Sequence, residues 1–155
     1  MSTWTNSDGL NVRFGTTRAD TVTDGLGNQP IKSLEIKHTG GSPVAIASAV
    51  AADIAHLPAN ALITDAFIIA ETAWTGTGTI TVGLANAAGA AIDADGIDAA
   101  VDVDSVLAAI GDVVACDGAL VDKTATIGTA PGWIYVTESG SVVGTARIVV
   151  NYTLT

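Results

Sequence analysis

Residues 144–155 leave the fewest choices open. Ala146, Ile148, Val150, Tyr152 and Leu154 share one side of an extended strand, while Thr145, Arg147, Asn151 and Thr153 fall on the other. That two-residue period is the pattern of a sheet with one buried face. Much of the chain is written the same way, in short β-branched runs separated by Gly, Asn and Asp. Residues 32–38 alternate with Leu34 and Ile36 inward, and Gly40-Gly41-Ser42-Pro43 ends the run. Residues 61–74 carry β-branched and aromatic side chains on both parities, which predicts a long strand covered on two sides or one containing a bulge. After Gly76-Thr77-Gly78, Ile80, Val82 and Leu84 alternate with Thr and Gly, so the two segments form a hairpin or a corner.

Further strands are expected over 124–128, 133–137 and 145–154, separated by Pro131-Gly132 and Ser139-Gly140-Ser141, with another turn at Asp117-Gly118. A helix of about two turns fits after Asp104 or Ser105, with Gly111 to terminate it. Residues 45–55 suit helix and strand equally on periodicity. Seven to nine short strands predict an all-β fold: a single β-sandwich or jelly-roll-like domain over 31–155, with at most one short helix. Residues 1–30 are polar and rich in turn formers, with Val12 and Phe14 in a brief alternation, and read as an extended N-terminal arm.

At 155 residues the chain fits one domain with a core of its own. Its apolar stretches are broken by Asp, Thr or Gly well short of the ~20 residues a membrane helix needs, so no membrane span is expected. The first residues lack a basic and an apolar region of the secretory kind, which points to synthesis in a cytoplasm. Cys116 is the sole cysteine and is expected to be a plain buried thiol. The net charge of −10 and pI near 4.1 argue against direct nucleic-acid binding. No Lys or Arg lies between Lys37 and Lys123, whereas Asp93, Asp95, Asp98, Asp102, Asp104, Asp112, Asp117 and Asp122 crowd one segment, so part of the surface should be strongly negative.

Chemistry-bearing residues are few. His38, His56 and Cys116 are too thin a supply for a hydrolytic triad or a zinc site. Residues 93–98 superficially suggest a calcium loop, but the Gly and closing Glu are misplaced for one, and an Asp-Gly turn flanked by solvated Asp is the plainer reading. Only Glu35, Glu71 and Glu138 represent glutamate, and aromatics are 5%, which disfavours a glycosidase. No catalytic residues, cofactor or metal are therefore predicted. Trp74 and Trp133 suit the core or a subunit contact; Trp4, isolated in the polar arm, suits an intermolecular anchor.

Three stretches carry a resemblance: Trp4 to Gly15, Ala91 to Asp98 together with Cys116 to Val121, and Gly144 to Tyr152. They resemble small structural proteins of tailed bacteriophages, above all the capsid decoration, or cement, proteins of marine and cyanobacterial phages. The resemblance implies a non-enzymatic β-sandwich, usually a homotrimer, on the outer surface of an icosahedral virion where major capsid protein subunits meet. It places Trp4, Val12, Arg13, Phe14 and Arg18 in a capsid-binding arm. A tail or head-fibre component and a carbohydrate-binding adhesin module are the alternatives from other classes.

Overall fold

The computed structural model describes residues 2–5, 11–14, 31–52 and 55–154. The first two short strands, β1 (Ser2–Thr5) and β2 (Asn11–Phe14), pair antiparallel with Trp4 opposite Val12 and Ser2 opposite Phe14. The strands that follow are β3 (Lys32–Thr39), β4 (His56–Leu57), β5 (Ala61–Thr75), β6 (Gly78–Ala85), β7 (Ala91–Asp102), β8 (Val113–Ala115), β9 (Gly132–Gly140) and β10 (Val143–Leu154). They form two antiparallel four-stranded sheets, one in the order β3-β10-β5-β8 and the other in the order β4-β9-β6-β7. From β3 onward only β6 and β7 are consecutive and share a sheet; every other step changes sheet. The 61–75 and 78–85 segments are thus joined by a corner, not a hairpin.

Alternation fixes what each strand buries. Ala146, Ile148 and Val150 of β10 are fully buried, as are Ile80, Val82 and Leu84 of β6. Together with Ile68, Trp74, Ile134 and Val136 they form one core between the sheets, with Leu34 and Ile36 packed against its margin. Strand β5 contains the expected bulge. Ala61 and Ile63 face the core on odd numbers, Ala66, Ile68 and Ala70 on even ones, and the pairing with β10 skips Thr64. One extra residue changes the parity, which is what a β-bulge does.

Two short helices are present where at most one was expected. Helix α1 (Ile46–Ala52) resolves the ambiguity of residues 45–55 and lies on the outer face of the β4-β9-β6-β7 sheet, where Ala49 packs with Ala85, Trp133 and Tyr135. Helix α2 (Val103–Val106) is a single turn that starts earlier than predicted, after Asp102, whose side chain makes no capping hydrogen bond. The buried side chains of Val103 and Leu107 decide its place, and residues 107–112 bend away as a turn. Among the described residues no helix is long and apolar enough to cross a membrane.

The strand expected at 124–128 is absent. Residues 107–127 instead follow β5 as an irregular border: Leu107 accepts from the Trp74 N–H, Cys116 donates to Ala66, and Ile127 donates to Ala61. Only β8 within this border is regular. Positive φ at Asp122 and Gly128 breaks the extended geometry that a strand over 124–128 would need.

An outer apolar half-face and two buried polar groups

The face of β3-β10-β5-β8 that points away from the core has no helix on it among the described residues. Register places its side chains in rows: Glu35, Val149, Phe67 and Ala115 in one, Lys37, Arg147, Ile69 and Val113 in the next. The β3 side of this face is charged. Lys37 Nζ lies 3.0 Å from Glu71 Oε2, and Arg147 Nη1 lies 3.7 Å from Glu35 Oε2. Between Asp65 and Glu71 the middle of the face is apolar: Phe67, Ile69 and Val149 are half-buried and Val113 of β8 is 56% exposed; Ile110, in the turn just before β8, is 74% exposed.

Two polar groups lie inside the protein. His38, at the end of β3, is 1% exposed and stacks on Trp74 with ring centroids 5.9 Å apart. Its Nε2 is 2.8 Å from Glu138 Oε1, yet the ring N–H is not directed along that contact, and neither ring nitrogen has a well-aligned hydrogen-bond partner. Glu138 is held from the other side, since the Gly41 N–H donates to both carboxylate oxygens at 3.1 Å. Burial pulls the imidazole below its ordinary pKa and outweighs Glu138, which pushes the other way. Gly144 completes the nest: a Cβ there would come within 2.6 Å of the Trp74 indole.

Asp98 is the second. The Asp-rich segment forms the edge strand β7 and not a turn, and its register against β6 slips repeatedly, with Val82 opposite Asp98 and Leu84 opposite Asp93. Three extra β7 residues are accommodated there, and the distortion turns Asp98 inward to 5% exposure, correcting the expectation that these aspartates are all solvated. Burial raises its pKa, opposed by hydrogen bonds from the Cys116 thiol and the Ala99 N–H, while its Oδ2 has no hydrogen-bond partner. Cys116 is buried as expected, and burial first, then Asp98 and Asp117, pushes its thiol pKa far up. The two chains of this contact are sewn together through glycine, because Gly118 donates to Ile97 and Leu120 to Gly96, and a Cβ on Gly118 would lie 2.4 Å from the Gly96 oxygen. Among the described residues no three His, Cys, Asp or Glu side chains gather to hold a metal ion.

Of the residues singled out in the sequence, Trp4 lies in β1 and Val12, Arg13 and Phe14 in β2, where Arg13 is opposite Thr3. Their side chains, and Arg18 entirely, lie outside the described residues. Trp74 and Trp133 are core residues, 2% and 8% exposed. His56 is exposed and tilts against Trp133 at 5.6 Å between centroids. Sequence reasoning missed the outer apolar half-face, although Phe67 and Ile69 on the second parity of β5 were its visible sign.

No protein-family model matches this sequence, and no curated protein sequence matches it. Among solved structures the chain is similar to one described as the capsid of Ralstonia phage GP4, with 16% identity over 89% of this chain and 92% of that chain and a TM-score of 0.49. A likeness that distant assigns neither a role nor a partner.

Proposed function

We propose that this chain is a non-enzymatic structural protein of a tailed-phage virion, a decoration protein that binds the outer capsid surface and clamps adjacent major capsid protein subunits. The observation that carries the reading is the apolar half-face of Phe67, Ile69, Val113 and Val149, which carries no helix among the described residues, whereas the outer face of the other sheet is covered by α1. Such a face is suited to a broad protein contact and not to a small ligand. The phage-protein resemblance of the sequence supports the same reading, as does the acidic surface, which suits a partner other than nucleic acid.

In this reading the body is a homotrimer, so each copy's second and third attachments to the shell become intramolecular and strengthen the whole. Trp4, Val12, Arg13, Phe14 and Arg18 contribute further contacts from the N-terminal region. Cryo-electron microscopy of the virion that carries the protein is the test, with many copies expected on the outside of the shell and the Phe67 face against capsid protein. A few copies at one vertex or on the tail would overturn the decoration role. Phe67→Asp is expected to abolish attachment, and Trp4→Ala with Phe14→Ala to weaken it; unchanged attachment in either case removes that surface from the proposal.

A further inference from the structure

The two sheets have four edges, and three are ill-suited to accept another strand. Strand β4 has two residues, β8 has three, and β7 is repeatedly bulged. Shortness and bulges are the usual ways a sheet edge is closed to further pairing. Strand β3 differs: eight residues pair with β10 in unbroken register, from Lys32 opposite Tyr152 to Thr39 opposite Thr145, and its other side has no strand among the described residues.

We infer that β3 pairs antiparallel with β3 of a second copy of this chain, across a twofold axis at Ile36, joining two four-stranded sheets into one of eight. The sequence of the strand selects this partner and register. With Ile36 opposite Ile36, Glu35 of each copy stands opposite Lys37 of the other, Leu34 opposite His38 and Ser33 opposite Thr39. Moving the axis one residue either way sets Glu35 against Glu35 or Lys37 against Lys37, and like charges directly opposite oppose pairing. A half-step slip would turn Leu34 and Ile36 to the charged face.

Neighbouring charges extend the match. Lys37 already meets Glu71, and Glu35 already meets Arg147. Pairing therefore links charges of alternating sign diagonally across the seam, Glu71 and Lys37 from one copy with Glu35 and Arg147 from the other. The twofold axis generates a second such set. On the opposite face, Leu34 and Ile36 are only partly buried at the margin of the core, and the added strand covers them. The contact is isologous, as a twofold interface must be. It does not rest on the capsid-binding reading; a twofold seam cannot itself build the homotrimer proposed above, and the two together would join trimers in pairs.

Cysteine trapping in the full-length protein tests both partner and register. Directly opposite antiparallel residues have Cα atoms about 4.5–5.5 Å apart, within disulfide reach. Under mild oxidation Ile36→Cys is expected to form a covalent pair on a non-reducing gel, whereas Leu34→Cys, which would face His38, is not; the native Cys116 is buried and serves as background. Adding Glu35→Lys or Lys37→Glu to Ile36→Cys is expected to slow trapping at least tenfold, and the double exchange Glu35→Lys with Lys37→Glu to restore it. These side chains are exposed, so the fold tolerates the changes, and circular dichroism of each variant verifies it. Absence of an Ile36→Cys pair in the folded protein, equal trapping of Leu34→Cys, or failure of the double exchange to restore the pair would each overturn the inference.

Discussion

His38 and Asp98 are both almost fully enclosed, but the fold treats them in opposite ways. His38 sits in a regular part of the structure, at the end of an unbroken strand, with an aromatic ring on one face and a carboxylate that a backbone N–H holds in place. Asp98 is enclosed because its strand is irregular, and its neighbours are another weak acid and glycine backbone. Burial alone pushes both toward the neutral form, which lowers the pKa of a base and raises that of an acid. The lesson is that enclosure decides the protonation of both, and that acidification must strain one site while relaxing the other.

The largest test of the His38 side is Trp74→Ala. It removes the ring that both His38 and Gly144 pack against, and a loss of about 3–5 kcal/mol in chemical denaturation is expected. A loss below about 1 kcal/mol would mean that the nest is not part of the cooperative core. Next come the glycines. Gly118→Ala would drive a methyl group into the backbone at Gly96 and Ile97, Gly144→Ala into the buried Trp74 indole and not into backbone. Overpacking costs about 1–3 kcal/mol, with Gly118→Ala at the upper end and Gly144→Ala below it; the reverse order would show that the Asp98 region is the more yielding of the two.

The pH response is smaller and has two signs. His38, with its pKa depressed in the fold, contributes stability above the ordinary histidine value of about 6.5, and this is lost as pH falls through the lowered folded value. Asp98, with its pKa raised, contributes stability in full below the ordinary carboxylate value of about 3.9, and this is lost as pH rises through the raised folded value. Asp98→Asn is expected to be more stable than the parent near pH 7, with the advantage shrinking toward pH 4. His38→Gln should lose less stability than the parent on acidification below pH ~6.5. Denaturant midpoints across pH give both slopes, and parallel slopes for the two variants would refute the opposition. The smallest effect is on reactivity: Cys116 in the native protein is expected to be inert to an aromatic disulfide reagent at pH 8 and to react at once in denaturant.

The regular half of this contrast was legible in the sequence and the irregular half was not. Alternation at 32–38 and 145–154 located β3 and β10, and the mixed parity of 61–74 left a bulge as one of two alternatives, the one that β5 adopts. Strand β7 was hidden because its bulges scramble the two-residue period: Gly96, Ile97 and Asp98 are all buried in succession. Helix α2 was misplaced because Val103 and Leu107 pack into the core, and packing overrode the cap and stop residues at Ser105 and Gly111. The apparent strand at 124–128 has suitable residue types, but its pairing depends on contacts with Asn60 and Ala61 that no local pattern records.

Strand β10 comes last of the described strands in chain order and yet lies between β3 and β5. Those two strands do not pair with each other, so the native sheet stays in two unfinished pieces until the ribosome has released residues 143–154. Translation proceeds at about 5–20 residues per second, so a nascent chain carries two unsatisfied apolar borders for several seconds. A stalled or prematurely terminated polypeptide would keep them, making it a ready target for chaperones and proteases long before any finished copy could be built into a larger structure.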